Sequence, residues 1–122
     1  MQDYRKLLVW QKAHSLAIDV RAITTGFPRT GYGALKDQII RSVESIPFNI
    51  AEGCGATSQK EFARYLDISI KSTMELDAQL LLARDYDILE AGQWEQLNDL
   101  TVEVRRMLCG LRSKVLGAGD QA

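Results

Sequence analysis

An all-α fold, an antiparallel up-down-up-down four-helix bundle, is what this sequence predicts, on three observations. Apolar residues recur at alternating spacings of three and four along four separate stretches. No stretch alternates with period two for the length of a strand. The connections between stretches are short and polar or glycine-bearing, so successive helices must double back on one another. At 122 residues, 46% hydrophobic and 25% charged, the chain can build one core and needs no disulfide or metal to hold it.

Helices are expected at about residues 5–25, 32–53, 59–84 and 92–115 of a single domain spanning 1–122, with 117–122 a frayed tail. The first carries Val9, Ala13, Leu16, Val20, Ile23 and Phe27 on one face, and Gly26 and Pro28 end it. The second runs through Leu35, Ile39, Val43, Ile46 and Ile50 and stops at Gly53-Cys54-Gly55. Pro47 lies inside it and denies the Val43 carbonyl its helical donor, so a kink is expected nearby. Asn49 and Glu52 are read as polar groups that satisfy backbone freed by Pro47 or by the glycine turn.

The third helix opens on a capping box, Ser58 with Glu61, in which each side chain can bond the other residue's backbone N–H. Phe62, Tyr65, Ser69, Ser72, Leu76, Leu80 and Ala83 continue its face. The small hydroxyls Ser69, Ser72 and Thr73 point to close approach of a neighbour, or to bonds back to the preceding turn. After a polar turn over 85–92, the fourth helix is marked by Trp94, Leu97, Thr101, Val104, Leu108, Leu111 and Val115.

Several classes of protein are excluded or disfavoured. The four-residue apolar run after Arg5 and Lys6 is too short for a secretory signal, and nothing approaches the ~18 apolar residues of a membrane span. A cytoplasmic protein without a membrane partner is expected. Cys54 and Cys109 stand outside any CxxC or Cys/His pair and read as free thiols, one in a loop and one on a helix. With His14 the only histidine, neither a Ser/His/Asp triad with a helper histidine nor the Glu-x-x-His pairs of di-iron bundles can be assembled. The chain is therefore read as no enzyme, with no cofactor and no metal.

A net charge of -1 argues against a protein that coats nucleic acid, but the bundle topology separates that charge. The start of helix one, end of helix two, start of helix three and end of helix four share one pole. Ten cations and seven carboxylates fall there, a net of +3, against five and nine at the other pole, a net of -4. The nucleic-acid-binding candidates are Arg5, Lys6, Lys12, Lys60, Arg64, Arg105, Arg106, Arg112 and Lys114. The alternative is a solvated face with cations near helix C-termini.

Trp10, Ile18, Ile40, Ile68, Ile70, Leu81 and Leu82 fall outside the four seams. They form either the edge of a broad stripe or a surface that another subunit covers; Trp10, Ile18, Ile40, Ile68 and Leu81 are the oligomer-interface candidates.

Particular words of the sequence add to this. Leu8-Val-Trp-Gln-Lys-Ala13, Phe27-Pro28, Gln38-Ile39 with Arg41, Ser45-Ile46, Asn49-Ile-Ala-Glu-Gly53, Gly55, Glu61-Phe62, Glu75-Leu76 and Gln79-Leu80 closely resemble the bacterial 23S rRNA intervening-sequence proteins, over about residues 7–116. Trp10, Phe27, Gln38, Arg41, Asn49, Glu52, Gly53, Gly55, Phe62, Glu75 and Gln79 are the motif positions. The resemblance implies a non-enzymatic bundle that assembles into a homopentamer. It also implies kinship with accessory proteins of diversity-generating retroelements, whose partners are RNA or DNA and a reverse transcriptase. Ile40 and Ala56 stand where such proteins usually carry arginine, which removes two cations. Two functions follow as expectations: a nucleic-acid-associated accessory or scaffold, and a protein–protein adaptor that binds no nucleic acid.

Overall fold

The chain enters through a turn rather than directly through a helix. In this computed structural model, which describes residues 2–120 and side chains through residue 117, Tyr4–Lys6 form one 3-10 turn capped by the Asp3 carboxylate on the Arg5 N–H at 3.1 Å. Leu7 is extended, so α1 (Leu8–Thr24) starts three residues later than the expected boundary, just ahead of the apolar period that opens at Val9. The Gln11 amide, 2.9 Å from the Arg5 carbonyl, ties the turn to the helix.

The remaining helices are α2 (Gly33–Cys54), α3 (Gln59–Asp85) and α4 (Ala91–Asp120). Helix α2 is continuous across Pro47. It includes Cys54, so the cysteine expected in a loop is helical and buried, and that burial raises its thiol pKa. Half of the capping box forms: the Ser58 hydroxyl accepts from the Glu61 N–H at 3.1 Å, while the Glu61 carboxylate faces the Thr57 hydroxyl at 3.5 Å instead of returning to Ser58. At the far end of α3, Ile88 N–H bonds the Ala83 carbonyl and Asp87 N–H the Arg84 carbonyl. That pattern places Asp87 in the left-handed region at φ 64°, a conformation short polar side chains tolerate. Helix α4 runs past Gly117 to Asp120 where a frayed tail was expected; residues 121–122 lie outside the described residues.

Cross-helix bonds give the arrangement. Ser69 and Ser72 of α3 bond Ile46 and Ser45 of α2, and Arg105 and Arg112 of α4 bond Asp77 and Asp67 of α3, so numbering descends on one helix as it rises on the next. Helix α1 packs on α2 and α4, and α3 on the same two, with α1 and α3 on the diagonal. The result is an antiparallel four-helix bundle.

Its core holds the expected faces. Leu16, Val20, Ile39, Val43, Ile46, Ile50, Leu76, Leu97, Val104 and Leu108 are fully buried, as is Leu66, which a one-residue-per-turn reading of α3 passes over. Burying each large aliphatic side chain contributes about 1.5–3 kcal/mol. Among the described residues, no helix is long and apolar enough to cross a membrane.

Candidate functional site

The four helix ends named from the sequence do meet. Gln2 N–H bonds the Cys54 carbonyl at 3.1 Å, and a cleft of about 190 Å³ is lined by Gln2, Gly53, Phe62, Leu111 and Val115 from all four places. The cations of that pole are unequal, however. Lys12 pairs with Glu103 at 2.9 Å, Arg105 with Asp77 at 3.2 Å and Arg112 with Asp67. Arg5 holds Asp3 at 3.1 Å, and its guanidinium keeps the Asp3 carboxyl below the ordinary range. Among the described residues Lys6, Lys60, Arg64, Arg106 and Lys114 make no ion pair.

Lys60 and Arg64 come together in a groove of about 450 Å³ between the start of α3 and the end of α4, beside the Arg112–Asp67 pair. The Arg105–Asp77 pair joins a residue counted with the basic pole to one counted with the acidic pole, so the separation of charge is shallower than whole-helix counting suggests.

The motif positions divide by role. Phe62 is buried against Gly53, where a Cβ would lie 2.8 Å from Phe62 Cδ1 and 3.1 Å from Tyr65 Cβ; only glycine admits this approach of α3 to α2. Gly55 caps α2, donating to the Glu52 carbonyl at 3.0 Å. Asn49 donates back to the Ser45 carbonyl at 2.8 Å and the Ser45 hydroxyl at 3.0 Å, not to the Val43 carbonyl freed by Pro47. The Glu52 side chain is exposed. Phe27 closes one end of the core, and Trp10 stands half-buried with Tyr4 edge-on at 5.0 Å and His14 stacked at 4.7 Å.

Gln38, Arg41, Glu75 and Gln79 converge from α2 and α3 on a polar groove of about 560 Å³ floored by serines and Ile68. There the Gln79 Oε1 is buried with no donor among the described residues.

A third surface lies between α1 and α2. His14, Ala17, Ile18, Ala22, Pro47 and Phe48 line an apolar groove of about 460 Å³, with Arg21 and Glu44 facing each other at 3.7 Å on its rim. Phe48 is 65% exposed and Ile18 58%. Of the interface candidates, Trp10 and Ile18 occupy this side of α1, and Ile40 lies in the adjoining groove beside Arg21 and Thr24. Ile68 faces the polar groove, and Leu81 lies on α3, away from both. Phe48 was not singled out from the sequence, although it stands two residues from Ile46 and Ile50 and so on the opposite side of the α2 stripe.

Among the described residues no three His, Cys, Asp or Glu side chains converge as metal ligands would. The sequence pattern of the family described as 23S rRNA-intervening sequence protein matches residues 5–110. A search of curated proteins finds no match. A crystal structure of a protein with unknown function, from the S23 ribosomal protein family of Bacteroides thetaiotaomicron VPI-5482, is similar in fold. It aligns with a TM-score of 0.81 at 24% identity, covering 86% of this chain and 98% of that one.

Proposed function

This chain belongs to the 23S rRNA-intervening sequence protein family, and from that premise we propose that it is a non-enzymatic scaffold that works as a homo-oligomer, its subunits meeting at the groove between α1 and α2. The observation that carries this is Phe48, 65% exposed beside Ile18 at 58% in a groove lined largely by carbon. Contiguous large apolar side chains at a surface mark interaction sites, and aromatics are enriched in the centres of such interfaces. A pentamer is the stoichiometry that the family resemblance suggests. The non-enzymatic reading is supported by the sole histidine, stacked on Trp10 rather than set beside a nucleophile.

Light scattering at micromolar concentration tests it. A mass that is a multiple of 13.7 kDa is expected, and a mass of one chain overturns it. Nucleic acid is the second reading, favoured by Lys60 and Arg64 sharing one groove without a carboxylate partner of their own among the described residues. The pairing of Lys12, Arg105 and Arg112 to carboxylates weighs toward a protein partner instead. Mobility shift with single- and double-stranded RNA and DNA at moderate salt decides between the two. A shift abolished by Lys60→Glu with Arg64→Glu establishes nucleic-acid binding, and no shift at tens of micromolar leaves the protein partner.

A further inference from the structure

We propose that the groove between α2 and α3 binds an extended polypeptide segment of a partner protein through the segment's backbone, with a carboxylate of the segment at the Lys71 end. This site is separate from the α1/α2 groove and does not depend on the self-association proposed above.

The register of the two helices sets out what the groove offers. Ser69 bonds Ile46 and Ser72 bonds Ser45 between antiparallel helices, so Arg41 stands level with Glu75 and Gln38 level with Gln79. All four line one groove of about 560 Å³. Neither level is closed across it. Arg41, Lys71 and Glu75 make no ion pair among the described residues. Gln79 Oε1 is buried without a donor, although the Gln38 amide lines the groove at the same level. On the floor, by contrast, the Ser45 hydroxyl already accepts from both Ser72 and Asn49. The unmet bonding capacity lies in the two facing pairs and in Lys71.

The two walls differ in kind. Helix α2 supplies donors, the Arg41 guanidinium and the Gln38 amide; α3 supplies acceptors, the Glu75 carboxylate and Gln79 Oε1. A peptide unit fits between such walls, because its C=O and N–H point in opposite directions, and in an extended chain every second unit repeats that orientation. One unit accepts from Arg41 and donates to Glu75; the next but one does the same between Gln38 and Gln79. These levels are three to four residues apart, about 4.5–6 Å by helical rise, against about 6.6 Å for two residues of strand. Side chains with several rotatable bonds take up the difference, and the soft terminal torsion of Gln79 turns its oxygen toward the segment. Lys71, one turn beyond Glu75, is the cation that a carboxylate of the segment completes.

Other occupants fit less well. The helices of a second copy have spent their backbone groups on their own hydrogen bonds. Phosphate groups would meet Arg41 and Lys71 but set their charge against Glu75 and leave Gln79 without a donor.

Fluorescence anisotropy on the full chain tests the proposal. The probe is a fluorescein-labelled pool of hexapeptides, mixed in sequence and ending in aspartate, beside the same pool methylated on its backbone nitrogens. Saturable binding is expected below about 1 mM, weakened about tenfold or more by N-methylation, which removes the donors to α3. Gln38→Ala with Gln79→Ala, and Arg41→Ala with Glu75→Ala, should each weaken it by a similar factor, while Phe48→Ser in the other groove leaves it unchanged. Circular dichroism checks that each variant stays helical; Gln38→Ser with Gln79→Ser and Arg41→Gln with Glu75→Gln replace any that does not. No binding to the wild type, equal binding of the methylated pool, or full binding by both groove variants overturns the proposal. So does loss of binding in Phe48→Ser, which would place the segment between α1 and α2, or displacement of the pool by a mixed-sequence RNA oligonucleotide, which would make the groove a nucleic-acid site. The mass of the wild-type chain is read separately, so failure here leaves the scaffold reading standing, and a monomeric wild type leaves this groove standing.

Discussion

Helix α2 is packed on both sides, and its two seams end in opposite states. Toward α3 it presents Ser42, Ser45 and Gly53, and α3 answers with Ser69 and Ser72; the Ser69 hydroxyl donates to the Ile46 carbonyl at 2.9 Å and the Ser72 hydroxyl to Ser45 at 2.9 Å. Small side chains let the backbones approach, and the hydroxyls are spent inside the seam. Toward α1 the same helix presents Pro47 and Phe48 over Ala17, Ile18 and Ala22, and this seam opens into an apolar groove. Both seams carry a surface groove, and the difference lies in its floor: between α2 and α3 the floor is hydrogen-bonded within one chain under polar side chains, while between α1 and α2 it is an apolar surface that a further chain would complete.

The largest expected effect tests the closed side. Ile46 is fully buried where α2 meets the rest of the core. Ile46→Ala should cost about 2–5 kcal/mol in denaturant unfolding, because the transfer of the lost methyl groups and the residual cavity add. A cost near zero would mean that this seam is as loose as the other. Gly53→Ala follows. Alanine is favoured over glycine in a helix by about 1 kcal/mol, so an unobstructed site would be stabilised. Here the new methyl meets the buried Phe62 ring at 2.8 Å and Tyr65 Cβ, which the backbone holds in place, at 3.1 Å. Overpacking should prevail by a net loss of about 1–2 kcal/mol, and a rise in Tm would refute the close approach.

Ser69→Ala should cost about 1 kcal/mol, the net value of one buried hydrogen bond. The Ile46 carbonyl it leaves still has its helical partner at Ile50. A loss of several kcal/mol would show that the hydroxyl supports more of the seam than this one bond.

Much of this contrast can be read in the sequence, and the part that cannot has a physical reason. The mid-helix hydroxyls of α3 point either to close approach or to bonds back to the preceding turn, and both occur: Ser69 and Ser72 bond across to α2, while Thr73 donates back to the Ile70 carbonyl at 2.6 Å. Leu66 and Ala63 are missed because a helix with two neighbours buries a wider stripe than one residue per turn. The turn over Tyr4–Lys6 is hidden because the apolar period begins only at Val9 and leaves the start of the helix unmarked, Arg5 and Lys6 standing one turn before it; the Asp3 cap belongs to the turn. The convergence of Gln38, Arg41, Glu75 and Gln79 on one groove depends on the register between α2 and α3, which periodicity does not contain. The pairing of Arg112 with Asp67, 45 residues away, depends likewise on the register of α3 with α4.

Phe48→Ser should give the smallest change in the stability of the single chain, about 0.5–1 kcal/mol, the third of a phenylalanine's burial that the bundle already holds. With 65% of its accessible surface outside, Phe48 has most of its burial energy still unclaimed by its own bundle. Full burial of a phenylalanine contributes about 1.5–3 kcal/mol, so roughly 1–2 kcal/mol remains available to a partner at each contact. The same substitution should therefore change the unfolding of dilute monomer little while weakening association by about five- to thirty-fold, read as a shift in the concentration at which mass falls to one chain. If instead it destabilises the monomer as strongly as Ile46→Ala, Phe48 belongs to the core and the α1/α2 seam is closed like the other. An aromatic side chain that the fold can lose at little cost and the assembly cannot is one whose burial is completed by the second chain.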